Sequence, residues 1–424
     1  MNCFEVEDLK ALISSKKSMK SQGITVRSGW NTRALLSEII NAWHHNHSLF
    51  LVNPALFQLP SFQPFLDKTF LDQLALHLNG FAVLLATSAT SGYPKIVALD
   101  RPSVQGNVKI FSDHLGLREA RHTVVLHVPL FHAFGLVLTA LQALLNGHRL
   151  VVFEKFSARD LQKFLSHYKR DEPIFLPFVP SQLRMLGALP INEPLFLGKG
   201  MTVTGGDRLM KADIVHLQKL FPSLEHTIGY GLTEAGPALC HTRLGQKLEE
   251  GMVGSPLPGI KLVDQPDGIA FQSPHAGLFT YNTETSKIEF LRNNLVLTGD
   301  SLALKGDSYH FMGRMKNVIK KNGETIFPAV LESYYSDRLP EGYEVFCLAY
   351  SAINEVQGEG IGLITSGGGP IDPKFIKTIS RDLPAFYRPS RFLHLETMPQ
   401  NALGKVVYPA LRVRLEKDGK DLAQ

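Results

Sequence analysis

The chain has 424 residues, 44% hydrophobic and 20% charged, a balance that suits two or three globular domains and argues against disorder. Its 44 Lys and Arg outnumber its 39 Asp and Glu for a net charge of +5, but they are scattered, which points to small anions rather than nucleic acid. Cys3, Cys240 and Cys347 stand far apart with no CxxC pair, which argues against a disulfide framework or a zinc ribbon and suits a reducing compartment.

The stretch from Met1 to Lys10 carries Glu5, Glu7 and Asp8 and is too acidic for a secretory signal. No apolar run reaches the roughly 18 residues that span a bilayer, so the expectation is a cytoplasmic protein without a transmembrane segment. Trp43-His44-His45-Asn46-His47 has metal-ligating side chains, but no Cys or carboxylate at suitable spacing completes a set. From about residue 81, short runs rich in β-branched and aromatic residues predict strands at 81–86, 123–128, 149–153, 174–179, 201–204 and 225–228. Helical patterns fall between them. Residues 136–145 are nearly all apolar and end at Asn146-Gly147, where glycine supplies a left-handed cap. Residues 157–168 open on Ser157 and Asp160, a capping-box-like start, and place Leu161, Phe164, Leu165 and Tyr168 on one face. This alternation predicts an α/β fold with a largely parallel sheet covered on both faces. After residue 250, Gly and Pro become frequent: 254–299 reads as a small β-rich unit, followed by an α+β segment from Arg314. Gly358-Glu359-Gly360-Ile361-Gly362 does not satisfy GxGxxG and reads as a turn joining two strands.

Five segments carry groups suited to nucleotide chemistry, and each has an ordinary structural alternative. Thr87-Ser88-Ala89-Thr90-Ser91-Gly92-Tyr93-Pro94-Lys95 follows a strand and offers hydroxyl and backbone donors plus one cation to phosphate oxygens. It is not a Walker A loop, and a plain Ser/Thr turn is the alternative. In Gly229-Tyr230-Gly231-Leu232-Thr233-Glu234 an aromatic between glycines can approach a flat base, while Thr233 and Glu234 offer a phosphate donor and a magnesium ligand. Asp300 ends Leu297-Thr298-Gly299-Asp300, just past a strand, where a carboxylate can take two ribose hydroxyls. The run from Gly313 to Gly323 is basic enough for a nucleotide or a pantetheine phosphate, or for solvent alone. Lys405 closes Pro399-Gln400-Asn401-Ala402-Leu403-Gly404-Lys405; by itself it reads more readily as a surface lysine than as a phosphate ligand.

These segments, together with Phe131-His132-Ala133-Phe134-Gly135 and Gly205-Gly206, occur in the order and rough spacing of one family. From about residue 81 to residue 413 the chain resembles the adenylate-forming (AMP-binding) superfamily of acyl- and aryl-CoA synthetases, luciferases and peptide-synthetase adenylation domains. The resemblance implies a large N-terminal domain, 1–313, with mostly parallel sheets covered by helices and a small β-rich subdomain, then a small mobile α+β domain, 314–424. It implies that Thr87, Ser88, Thr90, Ser91, Gly92 and Lys95 form the phosphate loop and that His132 gates the acyl pocket. Gly206 and Tyr230 bracket adenine, Thr233 meets the α-phosphate, Glu234 holds Mg2+, and Asp300 and Arg314 bind ribose. Lys316 is the hinge, Lys405 serves adenylation, and Lys320 and Gly323 serve thioester formation with CoA or a carrier-protein phosphopantetheine.

The implied reaction is ATP-dependent activation of a carboxylic acid as its acyl-AMP, followed by transfer to CoA or an acyl carrier protein, as in fatty acid metabolism. Two anions meet at the α-phosphorus, so cations and donors must stand where charge builds. Ala133 occupies the place where amino-acid-activating relatives hold the α-ammonium with an Asp, which favours an acid without an α-amine. Phe131, Phe134, Leu136, Phe178 and Met185 suggest an apolar acyl group, or simply core. Two departures stand out: Ala89 and Ile96 replace usual glycines, and the segment before the phosphate loop is short. They motivate the alternative of a nucleotide-binding scaffold without turnover.

Overall fold

The computed structural model describes residues 3–6, 23–29, 31–57, 60–87, 95–190, 193–317, 319–321, 324–350, 360–400 and 406–422. The chain forms two compact units: Met1–Asp264 with Ala270–Thr298 and Leu304–His310, and Gln265–Ile269 with Gly299–Ala303 and Phe311–Gln424.

At the centre of the first unit five strands lie parallel in the order Arg149–Phe153, Thr123–Leu126, Ile174–Phe178, Gly200–Thr204 and Glu225–Leu232. Every residue of the first three is buried, as expected of strands covered on both faces, and this is why they read as unbroken apolar runs. Cys3–Val6 and Gly236–His241 flank them as antiparallel neighbours. The helix Ala158–Ser166 starts as its sequence predicts: Ser157 Oγ accepts from the Asp160 amide at 3.2 Å, and Leu161, Phe164 and Leu165 are buried against the sheet.

The predicted helix over 136–145 is present but irregular. Ala133–Gly135 leads into a π-helical stretch, Leu136–Leu141, and then into Gln142–Leu145. The widened turn is marked by Gln142 N donating to Val137 O and by the Thr139 hydroxyl donating to Phe134 O at 3.1 Å. Gly147, with φ of 71°, follows the helix end.

The second sheet of this unit is mixed. Ile24–Ser28, Ser48–Val52 and Ala82–Thr87 are parallel, but Lys95–Asp100 returns antiparallel, followed by Phe279–Asn282 and Lys287–Phe290. A parallel return needs a crossover of about a dozen residues or more, and the connection here is confined to residues 88–94, so a hairpin forms. The last two strands come from the stretch expected to be a separate β-rich unit. Only part of that stretch pairs apart from this sheet, through Ala270↔Leu297, Phe271↔Val296 and Gln272↔Leu295.

The second unit has a sheet of Glu344–Tyr350, Gly360–Ser366, Arg391–Leu395 and Lys420–Asp421, with the helices Pro328–Ser336, Pro373–Ile379 and Tyr408–Asp418. Its core centres on Leu331, Tyr335, Cys347, Leu363 and Phe392. The antiparallel strands Glu344–Tyr350 and Gly360–Ser366 are joined through residues 351–359; of the segment Gly358–Gly362 expected to be a turn, Gly360, Ile361 and Gly362 instead lie in the second strand, where they pair with the first, and Gly358 and Glu359 lie outside the described residues. Among the described residues no helix is long and apolar enough to cross a membrane.

Burial holds two imidazoles of the first unit far below their usual 6.5: His127, packed between Phe156 and Phe178, and His241 both fall to about 3. Between pH 6.5 and 3 each stays neutral when folded and takes a proton when unfolded, so stability falls as pH falls through that window. The slope is about 1.4 kcal/mol per pH unit for each group. Urea unfolding midpoints are expected to drop between pH 7 and pH 5, and His127→Phe to flatten that slope; an unchanged slope in the variant would contradict the assignment.

Candidate functional site

In the first unit Gly206 and Tyr230 lie at the carboxyl ends of adjacent parallel strands, where open α/β sheets bind their ligands, while Thr87 and Lys95 belong to the second sheet. Gly205 and Gly206 follow Gly200–Thr204, and the Gly205 amide donates to Phe178 O at 3.0 Å. Gly206 has φ of 85°, a conformation that favours glycine. On the next strand, Gly229 O lies 3.1 Å from where a Cβ on Gly205 would sit, so the two backbones approach closely just before Gly206 and Tyr230.

Tyr230 pairs with Cys240, and its ring lies 5.8 Å from that of Phe271. Register then slips between Tyr230 and Leu232, which faces Gly236. A Cβ on Gly231 would lie 2.1 Å from Pro237 O, so only glycine permits this hairpin. The half-buried Thr233 and Glu234 occupy its turn. Two contacts hold the turn from outside: Gly277 N donates to Glu234 O at 3.0 Å, and Asn107 reaches it from the helix Arg101–His114. The Asn107 side chain donates to His275 O at 2.7 Å and accepts from Ala238 N at 3.3 Å. Asn107 was missed in the sequence because an Asn within a helix carries no local signal of a tertiary brace. Gly231→Ala is expected to lower stability by about 1–3 kcal/mol and to weaken ATP binding at least tenfold. Thermal unfolding and equilibrium dialysis check both, and a variant that retains both would refute the close packing.

The ends of the hydroxyl loop are fixed. Thr87 faces Lys95 across the hairpin, with Thr87 Oγ1 donating to Lys95 O at 3.4 Å. Ser88, Thr90, Ser91 and Gly92, with Ala89, lie outside the described residues. Ile96 is fully buried in the strand, so an apolar residue there packs the core.

His132, half-buried and extended (φ −118°, ψ 141°), immediately precedes the helical segment that begins at Ala133, with its ring 5.1 Å from that of Phe131. A Cβ on Gly135 would lie 2.3 Å from Pro129 O, which explains glycine at this tight corner. Phe131 and Leu136 are buried nearby in the chain. Phe178 instead packs in the core cluster beneath the helices, and Met185 is 53% exposed on the helix Pro180–Gly187.

Asp300 and Arg314 belong to the second unit and meet there: Arg314 Nε lies 3.0 Å from Asp300 Oδ1. Met315 N donates to Gly299 O at 2.8 Å beside them, and a Cβ on Gly268 would come within 2.7 Å of Asp300 O. Lys316 lies in the helical turn Met315–Asn317 and Lys320 in the strand Ile319–Lys321; Gly323 and Lys405 lie outside the described residues. The segment bearing Lys405 is pinned at its ends by the Gln400↔Val406 bridge and by Val407 N donating to Pro399 O at 2.9 Å.

A model of the AMP-binding enzyme family matches residues 20–277. The chain is similar to a probable CoA ligase, CCL5, of Humulus lupulus: 26% identical over 345 residues, covering 77% of this chain and 62% of that protein. It is similar also to a 4-coumarate–CoA ligase, CCL1, of the same plant: 25% identical over 378 residues, covering 82% and 67%. The chain therefore spans about three fifths of the length of the first of these relatives and two thirds of the second. In fold it is similar to ATP-bound MatB from Rhodopseudomonas palustris, with a TM-score of 0.77 at 16% identity over 97% of this chain and 92% of that one. It is similar also to o-succinylbenzoate CoA synthetase (MenE) from Bacillus subtilis in complex with its acyl-adenylate intermediate. There the TM-score is 0.72 at 18% identity, over 98% and 91% of the two chains.

Proposed function

This chain belongs to the AMP-binding enzyme family, and from that premise we propose that it is an ATP-dependent acid–thiol ligase: it converts a carboxylic acid into its acyl-AMP and then passes the acyl group to a thiol. The observation that carries this reading is the close approach of Gly205 to Gly229, which sets Gly206 and Tyr230 side by side at the ends of adjacent parallel strands. A flat base fits between a bare backbone and an aromatic ring. In this reading Thr233 donates to the α-phosphate, and the hairpin ending at Thr87 and Lys95 holds the outer phosphates.

Glu234 with Thr233 fits a magnesium site: one carboxylate on a half-buried turn, with substrate phosphates completing the shell, is how this ion is commonly held. Bound there, Mg2+ offsets the charge of the leaving diphosphate. Asp300 takes the ribose hydroxyls, and Arg314 holds that carboxylate in place. Lys316 marks the hinge between 1–313 and 314–424, which lets Lys405 and then Lys320 with Gly323 serve the two half-reactions. His132 borders the acyl group, and Ala133 favours an acid without an α-amine.

CoA is the acceptor that the similar CoA ligases suggest; the phosphopantetheine of an acyl carrier protein has the same reactive arm. Carboxylate-dependent exchange of labelled diphosphate into ATP, across aliphatic, aromatic and hydroxy acids, tests the reading. Exchange with at least one acid supports it, and adding CoA or a carrier protein then identifies the acceptor. ATP binding without exchange leaves the scaffold reading that Ala89 motivates.

A further inference from the structure

The turn that carries Thr233 and Glu234 is braced through residues 275–278, a segment that belongs to none of the sequence motifs. Each residue of this segment bonds a different partner. His275 O accepts from the Asn107 side chain at 2.7 Å, and Ala276 O from Ser103 Oγ at 2.6 Å. Gly277 N donates to Glu234 O at 3.0 Å, and Leu278 N to Ala98 O at 2.7 Å. Ala98, Ser103 and Asn107 lie on the strand Lys95–Asp100 and on the helix Arg101–His114 that follows it directly. Arg292 donates to Asp100 and, at 3.1 Å, to Ser103 Oγ, which ties down the helix start. Residues 275–278 are thus a strut between that helix and the turn.

Asn107 ties the strut to the turn. Its side chain is buried and its orientation follows from its partners: Nδ2 donates to Ser103 O at 2.9 Å and to His275 O, while Oδ1 accepts from Ala238 N at 3.3 Å. Reversing the amide would set its oxygen against two carbonyls. One side chain therefore holds both the segment that reaches Glu234 and the strand Gly236–His241 that leaves the turn. Two glycines make room for it. A Cβ on Gly106 would lie 2.0 Å from His275 Nδ1, and one on Gly236, with φ of 110°, would lie 2.7 Å from Asn107 Oδ1. Glycine is disfavoured inside a helix, so its place at 106 answers a packing demand.

We propose that Asn107 is a positioning residue for Glu234: it holds the turn so that the carboxylate meets the metal of an ATP complex without rearrangement. Groups behind a metal ligand set its orientation, and a ligand that must first be ordered binds more weakly. This role rests on the ligase reading. The test is calorimetric titration of the full chain with ATP, in excess Mg2+ and in EDTA, for the native protein, Asn107→Ala, Ser103→Ala and Leu161→Ala. The last removes a buried side chain from the core cluster under the helix Ala158–Ser166 and is a destabilised control. Thermal unfolding ranks the stability of all four. Mg2+ is expected to strengthen ATP binding to the native protein, and this gain to fall about tenfold in Asn107→Ala. A smaller fall is expected in Ser103→Ala, and none in Leu161→Ala despite its lower stability. A gain equal in all four proteins, or absent from the native one, would overturn the proposal. If Asn107→Ala does not fold, Ser103→Ala decides. Diphosphate exchange by the native protein separates the two readings: exchange with an unaltered gain removes the role of Asn107 alone. ATP binding without exchange counts against the ligase reading, and the gain still decides Asn107. No ATP binding at all overturns both.

Discussion

Replacing Lys405 with alanine is expected to suppress diphosphate exchange by about 10²–10³-fold, while transfer from preformed acyl-AMP to CoA stays largely intact. The first half-reaction sets a carboxylate against an already anionic phosphorus, and charge accumulates on the bridging and leaving oxygens. A preorganised ammonium group is worth most at that moment and little once the acyl-AMP exists. The Gln400↔Val406 bridge pairs the described residues on either side of this lysine. Lys320→Ala is expected to do the converse, sparing exchange and slowing thioester formation. Separate assays of the two half-reactions check both variants. Equal loss of both steps in Lys405→Ala would remove the division of labour.

Arg314→Ala is expected to weaken ATP binding by about tenfold or more and to lower stability as well. Asp300 has a side chain only 3% exposed and Arg314 one 35% exposed, so removing the guanidinium takes its cationic partner from a buried carboxylate. A fully buried pair broken this way loses about 3–5 kcal/mol; water reaching Arg314 reduces this to about 1–3 kcal/mol. Asp300→Asn keeps the shape and one acceptor, and is expected to cost less stability while still weakening nucleotide. Urea unfolding and ATP dissociation constants, measured on the same preparations, separate the two effects. A loss of stability with unaltered ATP affinity would make the pair structural only.

Much of this site was legible before any coordinates. The order of the motifs is a linear property, and glycine at 206, 231 and 135 answers backbone demands that no other residue meets. Their partners were not legible. In the first unit Asn107 and Phe271 reach the Tyr230 hairpin, and in the second Gly268 lies against Asp300, each from an element remote in sequence and without a local signal of its role. Phe178 is instead fully buried in the core cluster; composition does not separate a core aromatic from a pocket wall.

By itself, the sequence determined the central parallel strands, since runs buried on both faces must be apolar throughout, and the helix start at Ser157, since a cap is a local hydrogen bond. Tertiary structure alone decided the antiparallel return after residue 94, the π-helical turn at Leu136–Leu141 and the meeting of Asp300 with Arg314. The same holds for the row of partners Thr87, Lys95, Asn282 and Lys287 across four strands of the second sheet: register between strands far apart in the chain is chosen by the packing of the whole sheet, because a slip of one residue turns every side chain to the other face.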